Sequence, residues 1–489
     1  MPIKIIKKIG KFAFADGGSI KSRVLRSGLW VGAGQVGLQL LAIVRSVALA
    51  RLLTPDVFGL IALAMIVVRA IETFTRPGIA QALIARQQDF EEAAATAFTL
   101  LVVRGVLLTL LLAVAAPFVA KFYDAAELEV VLMALSAVFV ISGLNNINTI
   151  ARQRELDYRR LTYLGQVSTL IGTIVTVALA WWLRSVWALV VGQIVQVSVT
   201  ALLSYYFLGG RLQFAFNKEV ARDLFRYGKF ITGSSIVTFI MTELDSAVIG
   251  KLLGMEQLGF YALAATISTL AILSLSQIAS GIMMSAYSKI QNDLPQLRNA
   301  YLRALSLVMF LVIPACAGLI CLTDPLIYVV YGEKWLDAAV PLQVFALFGV
   351  PRALLIFNGY LFEGIGKPKV AFYLGLLRLA IIAPIIVPMV QAYGLLGAAT
   401  TVVIGAVVQC LIGLVYLHRY VAIKVSELLA TIWRPLWTAS VMSLIVVWVS
   451  NLLDPRTLIG LSAAVFSGIA VYVTLNVSVL LKLKNERLV

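Results

Sequence analysis

Six arginines lie inside long apolar runs of this sequence: Arg45, Arg69, Arg104, Arg352, Arg378 and Arg434. Acids in comparable surroundings are fewer: Glu72, Glu243, Asp245 and Glu363. Insertion of one arginine near the centre of a bilayer costs roughly 2.5 to 3.5 kcal/mol, so five facing lipid would cost on the order of 15 kcal/mol. These side chains are therefore expected to face a wet cavity or acidic partners. The planar guanidinium presents a fork of donors suited to phosphate or pyrophosphate, and the excess of base over acid points to an anionic ligand. At about 1.5 Å of rise per residue, Arg69, Arg104, Arg352 and Arg378 fall about 14–20 Å from a helix end, near mid-bilayer, and Arg45 lies nearer the outer face. Arg69, Arg104, Arg352 and Arg378 are the expected anionic-ligand cavity. Arg434 lies near the cytoplasmic end of its run, where its head reaches the interface.

Local neutralisation competes with a ligand role at some of these positions. Arg69 and Glu72 are three apart on one helix face and could simply pair. Arg45 and Asp245 hold equivalent positions of an internal repeat and could bridge its halves as an outer gate. Glu243 and Asp245 could instead take a coupling proton or sodium ion. Arg45, Glu72, Glu243 and Asp245 thus form a second group, for gating or ion coupling. Arg104 and Arg352 have no acid nearby in sequence, which favours them as ligand contacts, and Arg352 follows Pro351, where a kink would expose backbone groups. His418 is the single histidine, and Cys316, Cys321 and Cys410 sit within apolar runs. Neither a metal site, nor a disulfide framework, nor a cofactor is expected.

The elements that must position these residues follow from composition. Of 489 residues 61% are hydrophobic and 13% charged, about half the ~25% charged share of a soluble domain. That is enough apolar material for fourteen spans of ~20 residues, and a soluble enzyme is excluded. Apolar runs place spans near 28–50, 57–74, 94–120, 128–147, 163–183, 186–208, 230–253, 258–284, 304–322, 339–361, 370–390, 395–417, 428–449 and 458–480. With the N-terminus in the cytoplasm, 28 of the 40 Lys and Arg fall in cytoplasmic loops and tails, 6 on the opposite side and 6 within spans. This asymmetry predicts two cytoplasmic termini, and it accounts for the net charge of +16 without nucleic acid. The first apolar run is too long for a signal peptide and is expected to be retained. The stretch Ile3–Ala15 either lies on the membrane surface or is disordered. Loops of at most roughly twenty residues leave no room for an extramembrane catalytic domain, and no GxxxxGK[ST] phosphate loop occurs.

A shift of 200 residues lays Arg51-Leu-Leu-Thr-Pro-Asp-Val-Phe-Gly59-Leu-Ile-Ala-Leu-Ala64 over Lys251-Leu-Leu-Gly-Met-Glu-Gln-Leu-Gly259-Phe-Tyr-Ala-Leu-Ala264. Gly28 falls over Gly228, and Tyr163-Leu-Gly165 matches Tyr373-Leu-Gly375 at an offset of 210. An offset of six helices preserves orientation, so the chain is expected to be an all-α polytopic membrane protein of two parallel six-helix lobes plus two C-terminal helices. The expected organisation is a basic cytoplasmic segment 1–27, an N-lobe 28–208 and an inter-lobe linker 209–229. A C-lobe 230–417, a helix pair within 418–480 and a tail 481–489 complete it.

The opening Ser27-Gly-Leu-Trp-Val-Gly-Ala-Gly-Gln35, then Ala50-Arg-Leu-Leu-Thr-Pro-Asp-Val-Phe-Gly59 and Arg76-Pro-Gly-Ile-Ala-Gln-Ala-Leu-Ile-Ala-Arg86, resembles Wzx-type polysaccharide flippases, in particular the WzxC-like branch. These belong to the multidrug/oligosaccharidyl-lipid/polysaccharide exporter superfamily, whose MATE-like fold is the one expected. The resemblance implies a bacterial inner-membrane protein that moves undecaprenyl-pyrophosphate-linked oligosaccharide to the periplasmic leaflet for lipopolysaccharide or exopolysaccharide synthesis. It implies alternating access driven by an ion gradient, H+ or Na+, with polymerase or export proteins as partners, and no chemical reaction. It assigns no ligand residue. Three alternatives stay open. A MATE-like drug antiporter would need an acidic cavity, a glycosyl polymerase or ligase a large external loop, and a peptidoglycan-precursor flippase nearly the same ligand chemistry.

Overall fold

The computed structural model describes residues 20–75, 78–86, 90–155, 157–210, 214–270, 283 and 286–477, and every regular element among them is helical. The segment Ile3–Ala15, Arg76 and Pro77 of the family-like motif, and the tail 481–489 lie outside the described residues. The helices are α1 (Ile20–Leu52), α2 (Pro55–Phe74), α3 (Ile79–Ala85), α4 (Phe90–Phe122), α5 (Ala126–Gly143), α6 (Asn148–Arg154), α7 (Tyr158–Leu183) and α8 (Val186–Leu208). They continue as α9 (Lys218–Leu252), α10 (Met255–Ser268), α11 (Leu294–Leu326), α12 (Ala339–Leu347), α13 (Gly349–Gly364), α14 (Pro368–Val421), α15 (Val425–Leu452) and α16 (Leu458–Leu475).

Ten of these stretches are long and apolar enough to cross a membrane, or eleven if the pair Glu333–Leu347 and Gly349–Gly364, bent by 52°, is one broken span. The chain is thus a multi-pass membrane protein. At 54 residues α14 would be about 80 Å long if straight, far beyond a ~30 Å hydrocarbon core. It turns back at Gly394, whose φ of 57° and ψ of −134° suit a residue without a Cβ. The expected spans 370–390 and 395–417 lie on either side of that break.

The chain divides into two compact units, residues 1–53 with 60–239, and 54–59 with 240–489. In the first unit α4 packs along α5, α7 along α8, and α1 along α7. The α5–α6 junction is pinned by Asn146, whose Nδ2 donates to the carbonyls of Gly209 (2.5 Å) and Ser204 (3.3 Å), while its backbone N–H donates to Ser204 Oγ (3.1 Å). Tyr205 Oη adds a bond to the Leu144 carbonyl at 2.8 Å. With no water to replace them in hydrocarbon, such bonds fix where helices may end.

In the second unit a core forms around Tyr287, Tyr301 and Phe357, all fully buried, and α11, α13, α15 and α16 contribute to it. Tyr301 Oη donates to Asn358 Oδ1 at 2.5 Å, tying α11 to α13. This unit also holds Pro55–Gly59 against Met255–Gly259. A Cβ on Gly59 would overlap the Met255 carbonyl oxygen, and one on Gly259 would overlap that of Pro55. The contact is reciprocal, position for position at the offset of 200. Glycine at both crossings lets the two backbones approach this closely.

Candidate functional site

In the second unit a carboxylate and a phenol bond to each other, and two arginines from two further helices lie within electrostatic range of both. Asp245 of α9 accepts a 2.6 Å hydrogen bond from Tyr261 Oη of α10 at Oδ2, and a 2.8 Å bond from the Ser246 N–H at Oδ1. Arg352 of α13 and Arg378 of α14 act electrostatically on both Asp245 and Tyr261, and Arg378 feels the like charge of Arg352. Tyr261 is buried and held edge-on against Phe345, with ring centroids 5.3 Å apart. The aliphatic stem of Arg378 runs past Gly405, where a Cβ would come within 3.3 Å of its Cγ.

The charges in this cluster do not cancel. Two guanidinium groups face one carboxylate, leaving one positive charge in excess among the four. The buried Nε–H of Arg378 has no hydrogen-bond partner. A buried charge whose donors are incompletely used is costly to keep and is well placed to receive an anion. The charge of Asp245 offsets part of the cost of holding the two arginines here, and the Tyr261 and Ser246 donors orient Asp245. An anionic group entering the cluster would compete with Asp245 for the attraction of the two guanidinium groups.

The remaining expected site residues are placed elsewhere. In the first unit Arg45 Nη1 donates to Gln196 Oε1 at 3.4 Å, and Gln196 Nε2 donates to Thr169 Oγ1 at 3.5 Å, forming a polar chain across α1, α8 and α7. Arg69 and Glu72 are both exposed on α2. Glu243 is two residues from Asp245, about 200° around α9, and so lies on a different face of that helix.

Arg104 has a clear structural use. Its Nη2 donates to the Glu72 carbonyl at 2.9 Å and to Thr75 Oγ1 at 3.1 Å, and its Nε to the Thr75 carbonyl at 3.2 Å. These carbonyls end α2, so Arg104 caps a helix C-terminus, where a cation also complements the helix dipole. Distance from a helix end overstates its depth, because α4 has 33 residues and is about 50 Å long, well beyond the bilayer. Arg104 stands at the level where α2 stops.

Two participants are absent from the expectations, Tyr261 and Gly405. Tyr261 was legible. Within the matched repeat it occupies the place of Ile61, so a polar group replaces an apolar one in otherwise matching surroundings. Gly405 is one of several glycines in its run and carries no comparable signal.

The polysaccharide biosynthesis protein family matches residues 48–340. The chain is 28% identical to the teichuronic acid biosynthesis protein TuaB of Bacillus subtilis (strain 168) over 375 residues, 76% of this chain and 78% of that protein. It is 23% identical to the lipopolysaccharide biosynthesis protein WzxC of Escherichia coli (strain K12), over 86% of each. The solved structure of the lipid II flippase MurJ in an inward closed conformation superposes with a TM-score of 0.73, covering 93% of this chain and 99% of that one, at 15% identity. This last similarity establishes a shared fold. The family match spans well over half of the sequence, and the chain belongs to the polysaccharide biosynthesis protein family.

Proposed function

We propose that this protein is a flippase that carries undecaprenyl-pyrophosphate-linked oligosaccharide from the cytoplasmic to the periplasmic leaflet of a bacterial inner membrane, for lipopolysaccharide or exopolysaccharide assembly. The observation that carries this reading is the half-buried grouping of Arg352 and Arg378 with the single carboxylate of Asp245. Family membership and the teichuronic acid and lipopolysaccharide biosynthesis relatives supply the polysaccharide context. The distribution of Lys and Arg over the loops favours two cytoplasmic termini.

In this reading the pyrophosphate takes the forks of Arg352 and Arg378 and replaces Asp245 as their counter-charge. The released carboxylate then accepts a proton or sodium ion, which couples the cation to movement of the anion. No bond of the substrate is made or broken, and the protein's work is to lower the cost of passing a charged headgroup through hydrocarbon. Arg69 and Glu72 on α2, and Arg45 and Glu243, are the further candidates along the route.

The test is the sidedness of lipid-linked repeat units in spheroplasts depleted of the protein, labelled from outside and compared with lysed cells. Accumulation of one polyprenyl-pyrophosphate oligosaccharide on the cytoplasmic face supports flipping, and its mass identifies the sugar or reveals a peptidoglycan precursor instead. Normal sidedness refutes the proposal. R352Q and R378Q should insert normally and each lower transport at least tenfold, the weight of a lost charge-assisted hydrogen bond of about 1.5–3 kcal/mol. Full activity in both variants would remove the site assignment.

A further inference from the structure

A second basic site lies well away in sequence from the Asp245 cluster, at the opposite end of the helices concerned from the α15–α16 turn. A cleft of about 320 Å³ opens between α11, α15 and the end of α16, and Arg303, Ser306, Phe310, Thr431, Arg434 and Asn476 are among its lining residues. Arg303 and Arg434 are exposed at its mouth, whereas Asn476 is 1% exposed at its base. Asn476 spends its Nδ2 on the Tyr472 carbonyl at 2.9 Å, and its Oδ1 has no hydrogen-bond partner. A buried carbonyl oxygen left unpaired is a place for a donor.

The cleft is held in shape by bonds that are independent of any ligand. An ion pair between Arg298 and Glu427 locks the first turns of α11 and α15 in register. Arg303 and Arg434 follow it by five and seven residues, about 7 and 10 Å deeper, and so at matching depth on parallel helices. Deeper still, Tyr472 Oη donates to the Phe310 carbonyl at 2.9 Å and the two rings pack 5.2 Å apart, fastening α16 to α11. The result is a built recess with two cations at the rim, a hydroxyl from Thr431, a buried acceptor and apolar walls.

We infer that this cleft binds the headgroup of an anionic phospholipid of the cytoplasmic leaflet, its phosphate between Arg303 and Arg434 and a headgroup hydroxyl donating to Asn476 Oδ1. A basic recess between helices on the cytoplasmic side is the chemistry that takes such headgroups. The volume suits a headgroup of small-molecule size. The acceptor at the base discriminates among phosphates, since a bare phosphate monoester or pyrophosphate brings oxygens to an oxygen, whereas phosphatidylglycerol brings a hydroxyl. The assignment of the leaflet rests on the orientation proposed above, and the headgroup chemistry does not.

The experiment is native mass spectrometry of the full chain, released from detergent after incubation with phosphatidylglycerol, phosphatidic acid, phosphatidylcholine or farnesyl pyrophosphate. The wild type should retain phosphatidylglycerol at least tenfold better than phosphatidylcholine. R303Q/R434Q should lose about thirtyfold, the weight of two basic residues beside an anionic headgroup. N476A should lower retention of phosphatidylglycerol and leave that of phosphatidic acid unchanged. R352Q should retain phosphatidylglycerol like the wild type even though the transport proposal has it inactive, so the two readings fail separately. Undiminished retention in R303Q/R434Q overturns the site. Displacement of phosphatidylglycerol by equimolar farnesyl pyrophosphate, dependent on the same two arginines, also overturns it and assigns the cleft to the polyprenyl-linked substrate. If R303Q/R434Q elutes as aggregate, the single variants R303Q and R434Q, each expected to lose about fivefold, carry the same test.

Discussion

Adding one methyl group at the crossing of the repeat segments should separate α2 from α10, and the structure says by how much. A Cβ on Gly259 would lie 2.7 Å from the Pro55 carbonyl carbon and 3.2 Å from the Gly59 nitrogen, where ordinary contact begins at 3.4 Å. The obstacle is helix backbone rather than a movable side-chain tip, so the Pro55 carbonyl must retreat by at least about 0.7 Å. Overpacking of this kind costs about 1–3 kcal/mol. G59A meets the mirror-image obstacle, with its Cβ 2.6 Å from the Met255 carbonyl carbon and 3.0 Å from the Gly259 nitrogen. Both methyl groups force open the same gap, so the second adds little once the first is present. G59A/G259A should therefore cost at least 0.5 kcal/mol less than the two single costs combined. Reversible unfolding in mixed micelles by SDS titration measures each variant. G318A is the control, because nothing lies within 4 Å of its Cβ, and Ala should gain about 0.4–1 kcal/mol there. Single variants within 0.5 kcal/mol of wild type, or strictly additive costs in the double, would refute the shared crossing.

Three further outcomes follow from the hydrogen bonds. Y261F removes the 2.6 Å bond to Asp245 and should cost about 1.5–3 kcal/mol in the same unfolding assay. D245N should cost more than Y261F, because it removes the one carboxylate that offsets the like charges of Arg352 and Arg378; R378Q in the D245N background should recover part of that loss. R104Q should lower stability by about 1–3 kcal/mol through loss of the α2 cap. R104K, which can serve one carbonyl where the guanidinium serves two, should recover only part of that loss; full stability of R104Q would show that the cap is dispensable.

The fold was largely readable because a bilayer permits few solutions. Apolar runs of about twenty residues must be helices. The end of α8 and the turn at Gly394 fall where Gly209 and Gly394 stand in the sequence. Arg352, Arg378 and Asp245 stand out as charges in apolar runs, and in the structure they lie within electrostatic range of one another. Arg104 stands out by the same signal and caps a helix instead, because sequence does not reveal how far a 33-residue helix projects beyond the membrane. Nor does it reveal backbone acceptors. The partners of Arg104 are mostly carbonyls of α2, groups that every residue possesses and no residue type announces.

The internal repeat separates packing from chemistry more sharply than charge alone does. Positions where the two segments agree, Gly59 with Gly259 and Ala64 with Ala264, serve the crossing of the helices or are buried at 0% exposure. Positions where they disagree mark the polar centres. Arg45 stands opposite Asp245 in the alignment and Ile61 opposite Tyr261, and in the second unit the two replacements bond to each other at 2.6 Å. The first unit keeps Ile61 at the Tyr261 position and pairs its Arg45 with the neutral Gln196. Identical residues fall where backbones cross closely, and the polar replacements fall in the second unit, where the proposed headgroup site lies. Introducing the second unit's chemistry into the first, as R45D/I61Y, should therefore leave the glycine crossing intact and place a carboxylate–tyrosine pair where no arginine pair awaits it. Transport should not rise, and loss of the Arg45–Gln196 bond should cost about 1–3 kcal/mol. A gain in transport would mean that the two halves bind the headgroup in turn, and that the asymmetry of the arginines is incidental.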